Sequence, residues 1–167
     1  MFPLSSLLTD GLIASVVFML LIGAIVWYNP RLMLQDFPKD IQALVPPKTA
    51  REKQLSTLLF VPVLVVFIGL PLYQVLALKA SSGGTLPFWT ALLYAYGIFF
   101  VVNLWDLVVM DWIGMRLFVN PQKPPFPGSE GAAGWRDDAF HFRGFLKGCV
   151  IGLVMMLPVA ALAVYVF

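Results

Sequence analysis

The sequence predicts an all-α integral membrane protein: a four-transmembrane-helix bundle with both termini outside and a short amphipathic interfacial helix in its first cytoplasmic loop. Three observations predict it. Four apolar runs, at about 5–28, 55–78, 88–112 and 144–167, take up more than half of the 167 residues. The chain is 60% hydrophobic and 12% charged, whereas soluble domains carry about 25% charge. Its eleven basic residues fall five and five into the segments 29–54 and 116–147, and only Lys79 lies elsewhere.

A hydrocarbon core of about 30 Å needs about 20 helical residues, and each run supplies that many without the strand-length alternation of a membrane barrel. With their polar flanks the helices are expected at about 5–28, 55–78, 88–116 and 138–167. The loops, 29–54, 79–87 and 117–137, are too short for a second core, so one transmembrane domain spans 1–167. Arg31, Lys39, Lys48, Arg51 and Lys53 mark the first loop; Arg116, Lys123, Arg136, Arg143 and Lys147 mark the third segment. Positive charge stays cytoplasmic in short loops. Both termini are therefore expected on the non-cytoplasmic side of a multi-pass protein of the cell membrane.

Helix one has no basic residue before it and no small-x-small site after it, so it is expected to persist as a span. Asn29-Pro30 stops it. In the first loop Phe37, Ile41, Leu44 and Val45 share one face of a short helix expected to lie on lipid headgroups. Thr49-Ala50-Arg51-Glu52 fits a capping box at the start of helix two. Pro62, Pro71 and Pro158 fall inside runs, where kinks are expected. Ser81-Ser82-Gly83-Gly84 makes a tight outer turn between helices two and three. Asn120-Pro121 stops helix three, and Asp137 or Asp138 caps helix four. Trp27, Trp89, Trp112 and Trp135 read as aromatic belts. The two halves share an Asn-Pro stop and a Pro-Pro pair (Pro46-Pro47, Pro124-Pro125), which a duplication or ordinary loop punctuation explains.

Helix three is the polar one. At 100° per residue, Asp106 lies about 60° to one side of Asn103 and Asp111 about 80° to the other. Tyr96 shares the Asn103 face. A carboxylate as deep as Asp106 costs about 2.5–3.5 kcal/mol unless paired, wetted or neutral. Such a group either exchanges protons, binds a cation or substrate, or bonds a neighbouring helix. At the cytoplasmic interface, Asp137, Asp138, His141 and Arg143 begin helix four, within reach of Asp111 and Arg116. This set could orient a general base or bind a divalent metal, or it is a capped helix start with interfacial aromatics. Gly144, Gly148 and Gly152 form a small-residue face that lets helix four approach a helix of this chain or of another subunit.

Cys149 is the only cysteine and His141 the only histidine, which excludes an internal disulfide, thiolate zinc and bis-His haem. The spacing marks no metal site and leaves any cofactor unassigned. No P-loop, nucleophile elbow or dinucleotide fingerprint occurs, and a net charge of +2 argues against nucleic acid. The expected partner is the lipid bilayer, with a protein subunit or a second copy of the chain. Three functions follow in order. The first is a non-enzymatic subunit or scaffold of a membrane assembly. The second is a small oligomeric transporter or channel using Asp106. The third is a lipid-modifying enzyme at the cytoplasmic interface.

Overall fold

The computed structural model describes residues 2–167, and four long helices dominate it. They are α1 (Leu4–Tyr28), α3 (Ala50–Ser81), α4 (Phe88–Phe118) and α5 (Asp138–Tyr165), each long and apolar enough to cross a membrane. No strand occurs among the described residues. The chain is a multi-pass membrane protein of all-helical fold. Connections alternate between a tight hairpin at residues 82–87 and two longer basic loops at the other end, here the basic end.

The expected helix punctuation is present. Thr49 and Glu52 close a reciprocal capping box at the start of α3, and Asp137 accepts from the Phe140 N–H at the start of α5. Asn29 and Asn120 act alike, each accepting from the N–H two residues on, at 3.0 and 2.9 Å. Ordinary turn chemistry of asparagine before proline explains that similarity without a duplication. Arg31 then joins α1 to α3: its guanidinium lies 2.7 Å from Glu52 and donates to the Pro46 and Pro47 carbonyls at 3.0 and 3.2 Å. Lys48 donates to the Leu32 carbonyl at 2.6 Å and to the Ser56 hydroxyl at 2.9 Å. Its partial burial lowers the ammonium pKa, against the pull of Asp36 and Glu52.

α4 is the central helix, packed along α1 on one side and α5 on another. Its core residues Ala91, Ala95, Ile98, Phe99 and Val102 meet Ala14 and Phe18 of α1 and Met156, Val159, Ala160 and Ala163 of α5. Lipid offers helices no hydrophobic drive to associate, so close backbone approach carries the packing. A Cβ on Gly11 would stand 2.7 Å from Val101, and one on Gly97 would stand 2.5 Å from Leu7. Between α4 and α5, Gly148 makes room for the Asn103 amide and Gly152 for the Phe99 ring. Gly144 faces open space. The glycine face of α5 therefore receives α4 of the same chain at two of its three positions. α3 is peripheral, touching α4 and α5 mainly through its later half.

Two π segments interrupt the long helices. Residues Val65–Gly69 follow Pro62 in α3, where the ring removes a hydrogen bond. Asp106–Gly114 in α4 has no proline to explain it.

The basic end differs from expectation. The short helix α2 (Lys39–Leu44) does not turn its whole apolar face to lipid. Ile41 and Val45 are buried with Phe126 and Trp135 of the other loop, and Phe37 packs edge-on against Phe126 at 4.9 Å; Leu44 stays exposed. Asp40 accepts from the Gly134 N–H at 2.8 Å and ties the loops together. Trp135, expected in an aromatic belt, is 1% exposed and donates to the Ser129 carbonyl at 2.9 Å. Trp27 and Trp89 are the widely exposed tryptophans. Rings from both loops find more apolar surface in each other than in headgroups, and a small second core caps the bundle.

Candidate functional site

The polar residues of α4 fall into two levels against α5. At the deeper level Asn103 donates to the Phe145 carbonyl at 3.0 Å and to Cys149 Sγ at 3.5 Å. Tyr96 lies beside the same thiol. Asn103 therefore serves as a clasp between helices, and its amide fills the space that Gly148 leaves.

The second level lies nearer the basic end and holds Asp106, Asp111 and His141. Asp111 Oδ2 lies 2.9 Å from His141 Nδ1, and the imidazole is only 10% exposed. This contact fixes the orientation of the ring. Asp106 is half-buried, and its electrostatic neighbours are Asp111, His141 and, across the first loop, Asp36. Among the described residues its carboxyl has no hydrogen bond or ion pair of its own.

The π segment brings the two carboxylates together. In an α-helix, residues five apart point about 140° away from one another. A π turn closes from i to i+5, so the same two residues overlie one another. Asp106 and Asp111 stand at that spacing inside Asp106–Gly114. The regular-helix expectation, with Asn103 between them, gives way to one acidic face turned toward His141.

The remaining interface residues separate into pairs. Arg116 binds Asp138 and donates to the Trp112 carbonyl at 3.0 Å, and Arg143 lies 3.7 Å from Asp137. The first pair holds α4 to α5 at the basic end, the second lies within the start of α5, and the Asp111–His141 pair is left as the acid–base element. No group of three or more His, Cys, Asp or Glu among the described residues is arranged to hold a metal ion.

No known protein family, curated protein or solved structure matches this chain. The chemistry of these side chains is thus the basis for a functional reading.

Sequence reasoning missed a second polar group, nearer the hairpin. Tyr94 donates to Asp10 Oδ2 at 2.6 Å, and Gln74 donates to the Asp10 carbonyl at 3.0 Å. The signal was available, because Asp10 is a carboxylate inside the first apolar run.

Proposed function

We propose that this chain is a small proton-exchanging transport protein of the cell membrane, in which Asp106 loads and releases the proton and the Asp111–His141 pair exchanges it. The observation that carries the reading is the Asp106 carboxyl itself. It sits inside an apolar helix without a hydrogen bond, against a histidine already oriented by a second carboxylate. A purely structural aspartate would be expected to bond a neighbouring helix, as Asn103 does. Imidazole beside a carboxylate offers a route for a proton between the membrane interior and the interface. In the proposed orientation the basic end is cytoplasmic, because ten of the eleven basic residues lie there, and both termini are outside. Four helices enclose little space, so the working form is proposed to be a homo-oligomer.

A second reading, a non-enzymatic subunit or scaffold, draws support from α3. Only 11% of its most apolar stretch is buried within the chain, against 28–39% for the other three helices. A partner would sit on α3, since the glycine face of α5 is occupied by Asn103 and Phe99.

The test is proton uptake by vesicles containing the full chain and a trapped pH-sensitive dye. Wild type should dissipate an imposed pH gradient. Asp106→Asn should fold, keep the same oligomeric state and leak no faster than protein-free vesicles. Equal fluxes for the two proteins would refute the role of Asp106. A wild-type flux no greater than that of empty vesicles would refute transport, and co-purification with a different membrane protein would then select the scaffold.

A further inference from the structure

Asp10, Gln74 and Tyr94 stand at one level of the bundle on three different helices. Asp10 is six residues into α1 from Leu4, Tyr94 six residues into α4 from Phe88, and Gln74 seven residues back from Ser81 on α3. Each is about 9–10 Å from the hairpin end of its helix, so the group lies within apolar surroundings and at the opposite end from Asp106.

The hydrogen bonds within the group leave only acceptors unfilled. Tyr94 is 2% exposed, and its hydroxyl is spent on Asp10 Oδ2. Gln74 is 7% exposed, and its amide N–H₂ faces the Asp10 backbone carbonyl. That carbonyl cannot donate, which fixes the amide orientation and leaves Gln74 Oε1 buried with no partner among the described residues. Among the described residues, the Asp10 carboxylate is served by one neutral hydroxyl. Lys79, the basic residue of this end, is committed elsewhere: it donates to the Ala163 and Val164 carbonyls at 3.1 and 3.2 Å and closes the end of α5. Among the described residues, the other titratable side chains near this end are Tyr94, already bonded to Asp10, and the exposed Tyr73 and Tyr165.

A cavity lies beside the group, separated from it by Phe2. Phe2 packs edge-on against the Tyr94 ring at 4.8 Å. The same Phe2 lines a cavity of about 240 Å³ at the hairpin end, together with Leu78, Ser82 and Thr90.

We infer that Asp10, Gln74 and Tyr94 form a binding site for a small monovalent cation, sodium or hydronium, reached through the hairpin-end cavity. A bound water would give Gln74 Oε1 a donor but would leave the Asp10 charge uncompensated where a lone carboxylate is costly. A cation held between the two would satisfy both. The inference stands on this group alone and does not rest on the role proposed for Asp106.

The test uses the full chain in nanodiscs and reads its melting midpoint. One arm replaces choline chloride by sodium chloride at constant ionic strength; the other varies pH in choline chloride. A sodium site gives wild type a saturable rise in midpoint with sodium that Asp10→Asn abolishes. Gln74→Met keeps the length of the side chain, removes the open acceptor together with the N–H donor to the Asp10 carbonyl, and should weaken the apparent sodium Kd by about tenfold or more. A hydronium site gives a midpoint indifferent to sodium that rises as pH falls, and Asp10→Asn reduces that rise to the part contributed by the chain's other titrating groups. Identical responses of wild type and Asp10→Asn in both arms would overturn the proposal. So would a Gln74→Met protein that is more stable in every buffer with both responses unchanged, the behaviour of an oxygen that binds nothing. If Asp10→Asn fails to fold, the Gln74→Met comparison decides by the same criteria.

Discussion

Gly144 and Gly152 sit two helical turns apart on α5, yet alanine at the two positions should move stability in opposite directions. A Cβ on Gly152 would stand 2.1 Å from Phe99 Cε1 and 2.3 Å from Cδ1, where carbon atoms normally rest at about 3.5–4.0 Å. The ring cannot simply swing aside, because Phe99 is 6% exposed and Phe67 lies 5.3 Å away, centroid to centroid. Either α4 and α5 separate or the ring leaves its rotamer, and overpacking of this kind costs about 1–3 kcal/mol. Replacing glycine by alanine in a helix returns up to about 1 kcal/mol. At Gly144 a Cβ meets nothing within 4 Å, so only that gain operates. The helix-forming gain cancels between the two variants, so Gly152→Ala should be less stable than Gly144→Ala by about 1–3 kcal/mol. Reversible unfolding in mixed micelles, titrated with a denaturing detergent and followed by far-ultraviolet circular dichroism, measures the difference. Phe99→Leu should recover part of the loss in Gly152→Ala, a coupling expected of residues in contact. Equal stabilities, or Gly144→Ala as the weaker variant, would refute the internal packing of the glycine face.

Trp135→Ala should cost the cap at the basic end about 3–5 kcal/mol, because it empties the centre of a small core. Trypsin should then cut the basic loops faster in detergent, while helical content stays at the wild-type level. For topology, with Cys149 removed, a cysteine at Ser82 should react with an impermeant reagent on intact cells, and one at Gln122 should not. Gln122 is the right probe because it is exposed, whereas neighbouring Ser129 is buried.

The four helices were legible in the sequence because lipid imposes one demand, about 20 apolar residues, that a linear scan reads directly. The caps were legible for a similar reason. Thr49 with Glu52 and Asp137 with Phe140 act over three residues, and no tertiary contact is needed to recognise them. The partner of the glycine face was not, since Gly148 and Gly152 are filled by side chains some fifty residues away. The loops failed differently. The face of Ile41 and Val45 was visible, but whether lipid or another loop covers it depends on Phe126 and Trp135, nearly a hundred residues on. Asp10 went unweighed because its run is otherwise so apolar, although that isolation is what makes a carboxylate informative.

The least legible feature is the one on which the site depends. Nothing local marks Asp106–Gly114 as a π segment; it holds no proline, and its sequence reads as an ordinary apolar helix. A wide turn of this kind persists only where its surroundings hold it. Both ends of the segment are held. Before it, Asn103 is clasped to the Phe145 carbonyl and Gly148 admits its amide. Beyond it, Arg136 donates to the carbonyls of Met115 and Val119 at 2.6 and 2.9 Å, satisfying groups that the end of α4 leaves open. Arg136 follows Trp135, the buried centre of the loop core. The cap thus fixes the end of α4, the asparagine clasp fixes its middle, and the turn between them is wound so that Asp106 and Asp111 share a face with His141. On this argument the loop core and the acid–base pair form one mechanical unit, and loosening Trp135 should release the register of Asp111 as well as the loops.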